Sequence, residues 1–291
     1  MIAEVNALHR RWTALILIIC ALLPCVCTAE DARPRLDAAQ YIVYRISDGK
    51  YRVMDFEGRF VGEDTEAFPS EKIGEAAVYM DYGRYGYAAM DGTILIEPVY
   101  LNLPRFENGY AAVQRENVDS EAVFKASGEL IFPDVYGAID AYGDIAAPIE
   151  FEEVRICEDG CYAVVSRRDG SDLLEGLFDL KQGRFAIEPR YEHLDTTHDE
   201  TLIARRLIHH PEIQDSSEAY AYQYSVINAQ GEELVPFQYD LIEYDEALNA
   251  YICYIDDEIA KVYEIRNGAV VEKAESPHIM MERQNKGGMK R

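Results

Sequence analysis

Apolar residues along this chain fall in short runs closed off by glycine, proline or charged positions. Stretches with the 3.6-residue period of an amphipathic helix are scarce. That pattern predicts short strands joined by tight turns. In "GTILIEPVY", Gly92 to Tyr100, a glycine opens an aliphatic run that a proline and a tyrosine close. The arrangement returns along the chain. Counted from Gly92, Pro98 stands at +6, Tyr100 at +8 and Leu103 at +11. Gly128 is followed by Pro133, Tyr136 and Ile139, and Gly143 by Pro148, Phe151 and Val154. Gly183 leads to Pro189, Tyr191 and Leu194, and Gly231 to Pro236, Tyr239 and Ile242. In each copy the aromatic is at +8 and the aliphatic at +11, which is the signature of a repeat architecture.

Each part of the unit has a physical role. The glycine follows polar or small residues in "MDG", "ASG", "KQG" and "AQG", as a turn needing positive φ requires. The apolar run forms a strand, and the proline ends regular pairing because it lacks an N–H. The aromatic and aliphatic residues are expected to be core anchors docking each unit on the next. "FENGYAAV" and "CEDGCYAVV" add Asn-Gly and Asp-Gly hairpin signals, so a unit of two to three antiparallel strands is expected. The 15-residue step from Gly128 to Gly143 implies one merged or truncated copy.

The resulting organisation is a linker over 30–40, a β-repeat domain over 41–272 and a polar, basic tail over 273–291 read as disordered. Residues 41–75 read as a degenerate capping unit, and "HHPEIQDSSEAY" as a loop insertion. The fold class is all-β, with tandem short antiparallel strands in a propeller-like ring or an open β-solenoid.

The copies resemble the WG-repeat (WG β-repeat) family of bacterial proteins. The nearest is "GRYGYAAMDGTILIEPVYLNLPRFENGYAAV", where Tyr85-Gly86 stands in place of the family's Trp-Gly; the tryptophan is absent from every copy. "EGLFDLKQGRFAIEPRYEHL" and "QYSVINAQGEELVPFQYDLI" match less fully. The resemblance covers roughly residues 75–255 and implies an all-β repeat protein with no shared catalytic residues.

Composition narrows the partners. Hydrophobic residues make up 48% of 291, enough for a sizeable core. Lys and Arg total 28 against 53 Asp and Glu, a formal net charge of −25. Such a surface repels phosphate backbones and anionic membranes, so nucleic acid is excluded as a partner and a basic or cation-bridged one is favoured.

At the amino terminus, Arg10-Arg11 precede an apolar run from Leu15 to Leu23 and then Cys27-Thr28-Ala29. These features read as a signal peptide over 1–29, cleaved after Ala29. The alternatives are an uncleaved membrane anchor and a lipid-modified cysteine. The residues before Cys20, Cys25 and Cys27 are Ile19, Pro24 and Val26, which argue against the lipid.

Beyond residue 29 the cysteines are Cys157, Cys161 and Cys253, an odd and sparse set that is no disulfide framework. Cys157 and Cys161 flank a hairpin turn, so a disulfide between them and two small buried hydrophobes both remain open. No P-loop, GxGxxG, GxSxG, HExxH or CxxC is present. His193, His198, His209 and His210 lie near Asp195, Asp199 and Glu200, from which a metal site could be drawn, although the spacing is not that of a zinc motif. Glu152-Glu153 and Asp256-Asp257-Glu258 match a glycosidase pair in residue type only; acidic pairs arise freely at this composition. The expectation is a secreted or cell-surface protein that binds or scaffolds, without cofactor or catalytic residues, for a protein or cell-envelope partner. The alternative is an extracytoplasmic hydrolase using the 193–210 segment.

Overall fold

The computed structural model describes residues 33–117, 123–124, 130–131, 133–197, 201–209, 220–266 and 269–273. The chain is nearly all β. Its described helical content is two single turns, Leu36–Ala38 and Ser70–Lys72. The first sheet holds β1 (Tyr41–Arg45), β2 (Tyr51–Asp55), β3 (Ala76–Asp81), β4 (Arg84–Ala89) and β5 (Ile94–Tyr100), in the order β2-β1-β3-β4-β5. Its β1–β3 pair is parallel and the rest antiparallel. The second sheet holds β6 (Phe106–Glu107), β7 (Tyr110–Glu116), β10 (Asp134–Asp140) and β11 (Ile145–Phe151). A separate two-stranded pair, β8 (Val123–Phe124) with β9 (Leu130–Ile131), is inserted between β7 and β10.

Three meanders follow. The third sheet is β12 (Glu153–Ile156), β13 (Tyr162–Asp169), β14 (Asp172–Asp179) and β15 (Arg184–Tyr191). The fourth is β16 (His193–Thr196), β17 (Thr201–His209), β18 (Tyr220–Asn228) and β19 (Glu233–Tyr239). The fifth is β20 (Leu241–Asp245), β21 (Ala250–Ile255), β22 (Glu258–Arg266) and β23 (Ala269–Lys273). The complete sheet thus has four strands rather than two to three. The missed turn joins its second and third strands, and its sequence changes from copy to copy: Tyr82-Gly83, Gly170-Ser171 and Asp256-Asp257.

Register explains the repeat. The third strand's first paired residue faces the +8 aromatic of the fourth: Tyr85↔Tyr100, Tyr136↔Phe151, Glu175↔Tyr191 and Tyr224↔Tyr239. Pairing then skips, so that three residues including the proline bulge opposite one residue, namely Gly86, Gly137, Gly176 or Ser225. Proline suits a bulge because no ladder N–H is required there. Glycine is needed opposite because backbone crosses at contact: a Cβ on Gly86 would lie 2.2 Å from the Ile96 carbonyl oxygen, and one on Gly176 2.5 Å from that of Ile187. The fourth sheet accommodates a side chain by bonding it, Ser225 Oγ donating to the Val235 carbonyl at 2.6 Å.

This register corrects the copy counted from Gly128, which itself lies outside the described residues. Tyr136 and Ile139 belong to β10, where Tyr136-Gly137 matches Tyr85-Gly86 in β4, so the true second copy runs from Gly143. Both residues still serve the core, Ile139 fully buried and Tyr136 packed at its edge.

The cores lie between successive sheets. Tyr87 and Tyr100 meet Val113 and Ile139; Phe151 and Val154 meet Phe178; Tyr191 and Leu194 meet Ile227; Tyr239 and Ile242 meet Tyr263. Leu103 packs, partly buried, against the first of these clusters. On the outer face of the first sheet, Val43, Val53 and Ala77 are covered by Val61, Phe68 and Ile73 from the chain between β2 and β3. The segment read as a linker is docked from residue 33: Leu36 is buried, its N–H donates to the Ala141 carbonyl at 2.7 Å, and Arg33 grips the Asp144 carboxylate at 2.8 and 3.0 Å. Among the described residues no helix is long and apolar enough to cross a membrane. Residues 1–32 and 274–291, which include the stretch read as a signal peptide and all but Lys273 of the one read as a tail, lie outside the described residues.

Candidate functional site

In the four-stranded antiparallel sheets, up-and-down connection places the turn between first and second strands, and the turn between third and fourth, at one end of the sheet. At that end a cleft of about 510 Å³ opens between the third, fourth and fifth sheets. Its interior is set by strand ends: Cys157, Leu177, Leu202, Ile203 and Ala229 are buried, and Tyr162 half-buried. Beside them lies a hydroxyl cluster, in which Thr197 and Thr201 Oγ1 each stand 2.5 Å from Tyr251 Oη and 2.8 Å from one another. The mouth carries the exposed carboxylates of Glu158, Asp159, Asp195 and Glu246, and among the described residues no Lys or Arg lines it.

Local chemistry fixes this mouth. Asn108, in the matching hairpin of the second sheet, takes a left-handed backbone (φ 52) and donates from Nδ2 to the Glu158 carbonyl at 2.6 Å. Asp159 caps its own turn by accepting the Cys161 N–H at 2.7 Å. Burial pushes the Cys157 thiol up to about 12, so at neutral pH it is a protonated, poor nucleophile.

Two residues before Leu177 in β14, and outside the cleft lining, Glu175 fills the position that is tyrosine in the other three bulged sheets. Almost wholly buried, it accepts Arg155 Nη2 at 2.8 Å and the Leu194 N–H at 2.6 Å, and meets His193 Nδ1 at 3.1 Å. His193 Nε2 faces Asp195 at 3.0 Å. Both ring nitrogens therefore face carboxylates, an arrangement that holds the third and fourth sheets together.

The remaining sequence candidates distribute as follows. Cys157, Cys161 and Cys253 are free thiols. The Cys157 N–H donates to the Tyr162 carbonyl, so the residue across the hairpin is Tyr162 and not Cys161. One residue of offset sends Cys161 to the opposite face, where its sulfur lies 3.5 Å from Lys181 Nζ. His209 meets the Tyr220 ring at a tilt at the far end of β17, away from His193, while His198 and His210, with Asp199 and Glu200, lie outside the described residues. Among the described residues no group of three or more His, Cys, Asp or Glu is placed to hold a metal ion. Glu152 pairs with Arg168, and Asp256 and Asp257 form the β21–β22 turn with positive φ. Most of the cleft was not expected from sequence, because Thr197, Thr201, Tyr244, Glu246 and Tyr251 converge only through sheet stacking. The readable signal was the acidic hairpin "CEDG" recurring in kind at Asp195 and Glu246.

Stacked four-stranded meanders with a shared bulge define a β-repeat protein. The family model described as WG containing repeat matches residues 85–118 and 224–247, so these two stretches carry its repeat. No curated protein matches. Among solved structures, similarity extends to the Pyrococcus horikoshii acylaminoacyl peptidase, at 14% identity and TM-score 0.35, over 61% of this chain and 32% of that one. It extends also to the Kuenenia stuttgartiensis hydrazine synthase, at 14% identity and TM-score 0.27, over 78% and 73%. A eukaryotic initiation factor gives 11% identity and TM-score 0.34, over 82% and 63%. The match thus spans about a third of the peptidase chain.

Proposed function

We propose that this β-repeat protein is a non-catalytic binding module that works outside the cytoplasm and holds a positively charged partner at the cleft. The observation that carries the reading is the cleft mouth, with four carboxylates and, among the described residues, no lining Lys or Arg. The residues that recur in every repeat are spent on turns, bulges and inter-sheet cores, which leaves specificity to the variable edge. The net charge of −25 draws cationic groups from a distance and repels nucleic acid. The thiol in the cleft is held protonated, which speaks against its use as a nucleophile. The extracytoplasmic setting is supported by Arg10-Arg11, the Leu15–Leu23 run and Cys27-Thr28-Ala29.

Capture from cell-envelope extracts tests the reading. Wild-type protein should retain a partner at low salt and release it at high salt. The exposed reversals Glu158→Lys and Glu246→Lys together should abolish retention without changing the unfolding midpoint. Retention untouched by the double reversal would overturn the assignment to this cleft. Turnover of a peptide, ester or glycoside substrate that disappears in His193→Ala would overturn the non-catalytic reading. Intact mass from the native host addresses location: a chain beginning at Glu30 is expected, and one retaining residues 1–29 would support the anchor instead.

A further inference from the structure

We infer that the cleft recognises an apolar side chain flanked by basic groups, as presented by a basic peptide segment, and not a lone cation. The inference rests on the binding reading above and specifies its ligand. It follows from how polarity is layered with depth. The carboxylates of Glu158, Asp159, Asp195 and Glu246 stand exposed at the mouth, whereas the buried interior is uncharged. A cation driven to that floor would lose its water without meeting a carboxylate of the described lining, which is strongly unfavourable. An apolar group placed there loses only unfavourable hydration, against the walls of Leu177, Leu202 and Ile203. A volume of about 510 Å³ is in the range of ligand pockets and accepts a large side chain with its neighbouring backbone. Charge at the rim and an apolar group at the centre is also the division found where protein segments recognise one another. A lysine entering tip first inverts this order, with its ammonium at the floor and its stem at the mouth. A residue such as phenylalanine between two lysines satisfies it.

Calorimetric titration of the purified protein with three capped tripeptides, Lys-Phe-Lys, Lys-Ala-Lys and Glu-Phe-Glu, tests the inference at low salt. Lys-Phe-Lys is expected to bind at least tenfold more tightly than Lys-Ala-Lys, with a negative heat-capacity change that marks apolar burial. Glu-Phe-Glu is expected not to bind, and Glu158→Lys with Glu246→Lys should remove the binding of Lys-Phe-Lys. Equal affinity for Lys-Phe-Lys and Lys-Ala-Lys would overturn the inference and leave simple charge attraction at the mouth. No binding of either basic peptide, with envelope capture intact, would overturn the ligand class alone. Loss of capture as well as peptide binding would bring down the binding reading itself.

Discussion

Replacing Gly86 by alanine isolates the backbone crossing on which the repeat depends. Gly86 does not have the positive φ of the turn glycines, so alanine there meets no left-handed strain. What it meets is chain. The added Cβ would lie 2.2 Å from the Ile96 carbonyl oxygen and 2.7 Å from the carbonyl carbon and oxygen of Glu97. These are backbone atoms of a bulge pinned on either side by Tyr85↔Tyr100 and Tyr87↔Ile96, so no side chain can swing aside. Overpacking of this kind costs about 3 kcal/mol. Alanine recovers about 0.5 kcal/mol by narrowing the unfolded ensemble, which leaves a net loss of about 2.5 kcal/mol. For a domain of this size the melting temperature should fall by roughly 5–10 °C. Gly83→Ala is the control, since its neighbourhood is empty and its φ of +76 costs only about 1 kcal/mol. Thermal and urea unfolding of the two variants decide the matter. If Gly86→Ala unfolds with the wild-type midpoint while Gly83→Ala is destabilised, the crossing does not exist as described.

Three further outcomes are expected. Glu175→Leu should cost about 2–4 kcal/mol by urea unfolding, because it strips the buried Leu194 N–H and Arg155 of their acceptor, and Glu175→Gln should cost less. Under native conditions peptide mapping after alkylation should find Cys161 modified first, with buried Cys157 and Cys253 reacting only on unfolding; prompt labelling of Cys253 would contradict its burial. Stability should decline at both ends of the pH scale. Cys157 and Cys253 are pushed up to about 12 by burial, so their contribution is complete below the usual thiol value of about 8.5 and is lost as pH rises towards 12. Hydrogen bonds from Arg35, Arg52 and Arg33 lower Asp37, Asp64 and Asp144, so their contribution is present above about 3.9 and lost as pH falls below it. Urea midpoints measured from pH 2 to 12 check both limbs; a midpoint that is flat above pH 9 would contradict the alkaline one.

Much of the fold was legible because turns and bulges demand particular residues. Gly92, Gly143, Gly183 and Gly231 share a positive φ, and the aromatic and aliphatic residues at +8 and +11 bridge adjacent sheets. What misled the count was Tyr136-Gly137-Ala138-Ile139, which imitates an anchor pair while occupying the strand before the turn. Gly86 was legible as part of Tyr85-Gly86, but the matching Gly137, Gly176 and Ser225 were not joined to it, because their shared requirement comes from a neighbouring strand. The cleft was less legible still. Its walls come from hairpins roughly forty to fifty residues apart, and such convergence is set by stacking rather than by any contiguous motif.

The repeat seen in sequence and the sheet seen in space are out of step. Tyr100, Phe151, Tyr191 and Tyr239 each end one sheet, whereas Leu103, Val154, Leu194 and Ile242 lie in the connection to the next sheet or in its first strand. Each unit therefore works as a lap joint, nailed to two courses at once. Cutting the chain at a sheet boundary severs an aromatic from its aliphatic mate and strips the face of the sheet that remains. A shortened or lengthened form that folds must be cut inside a sheet, at the turns marked by Gly92, Gly143, Gly183 and Gly231. Gene duplication would have to respect the same seams, so the glycine turns are where copies of this protein can be spliced.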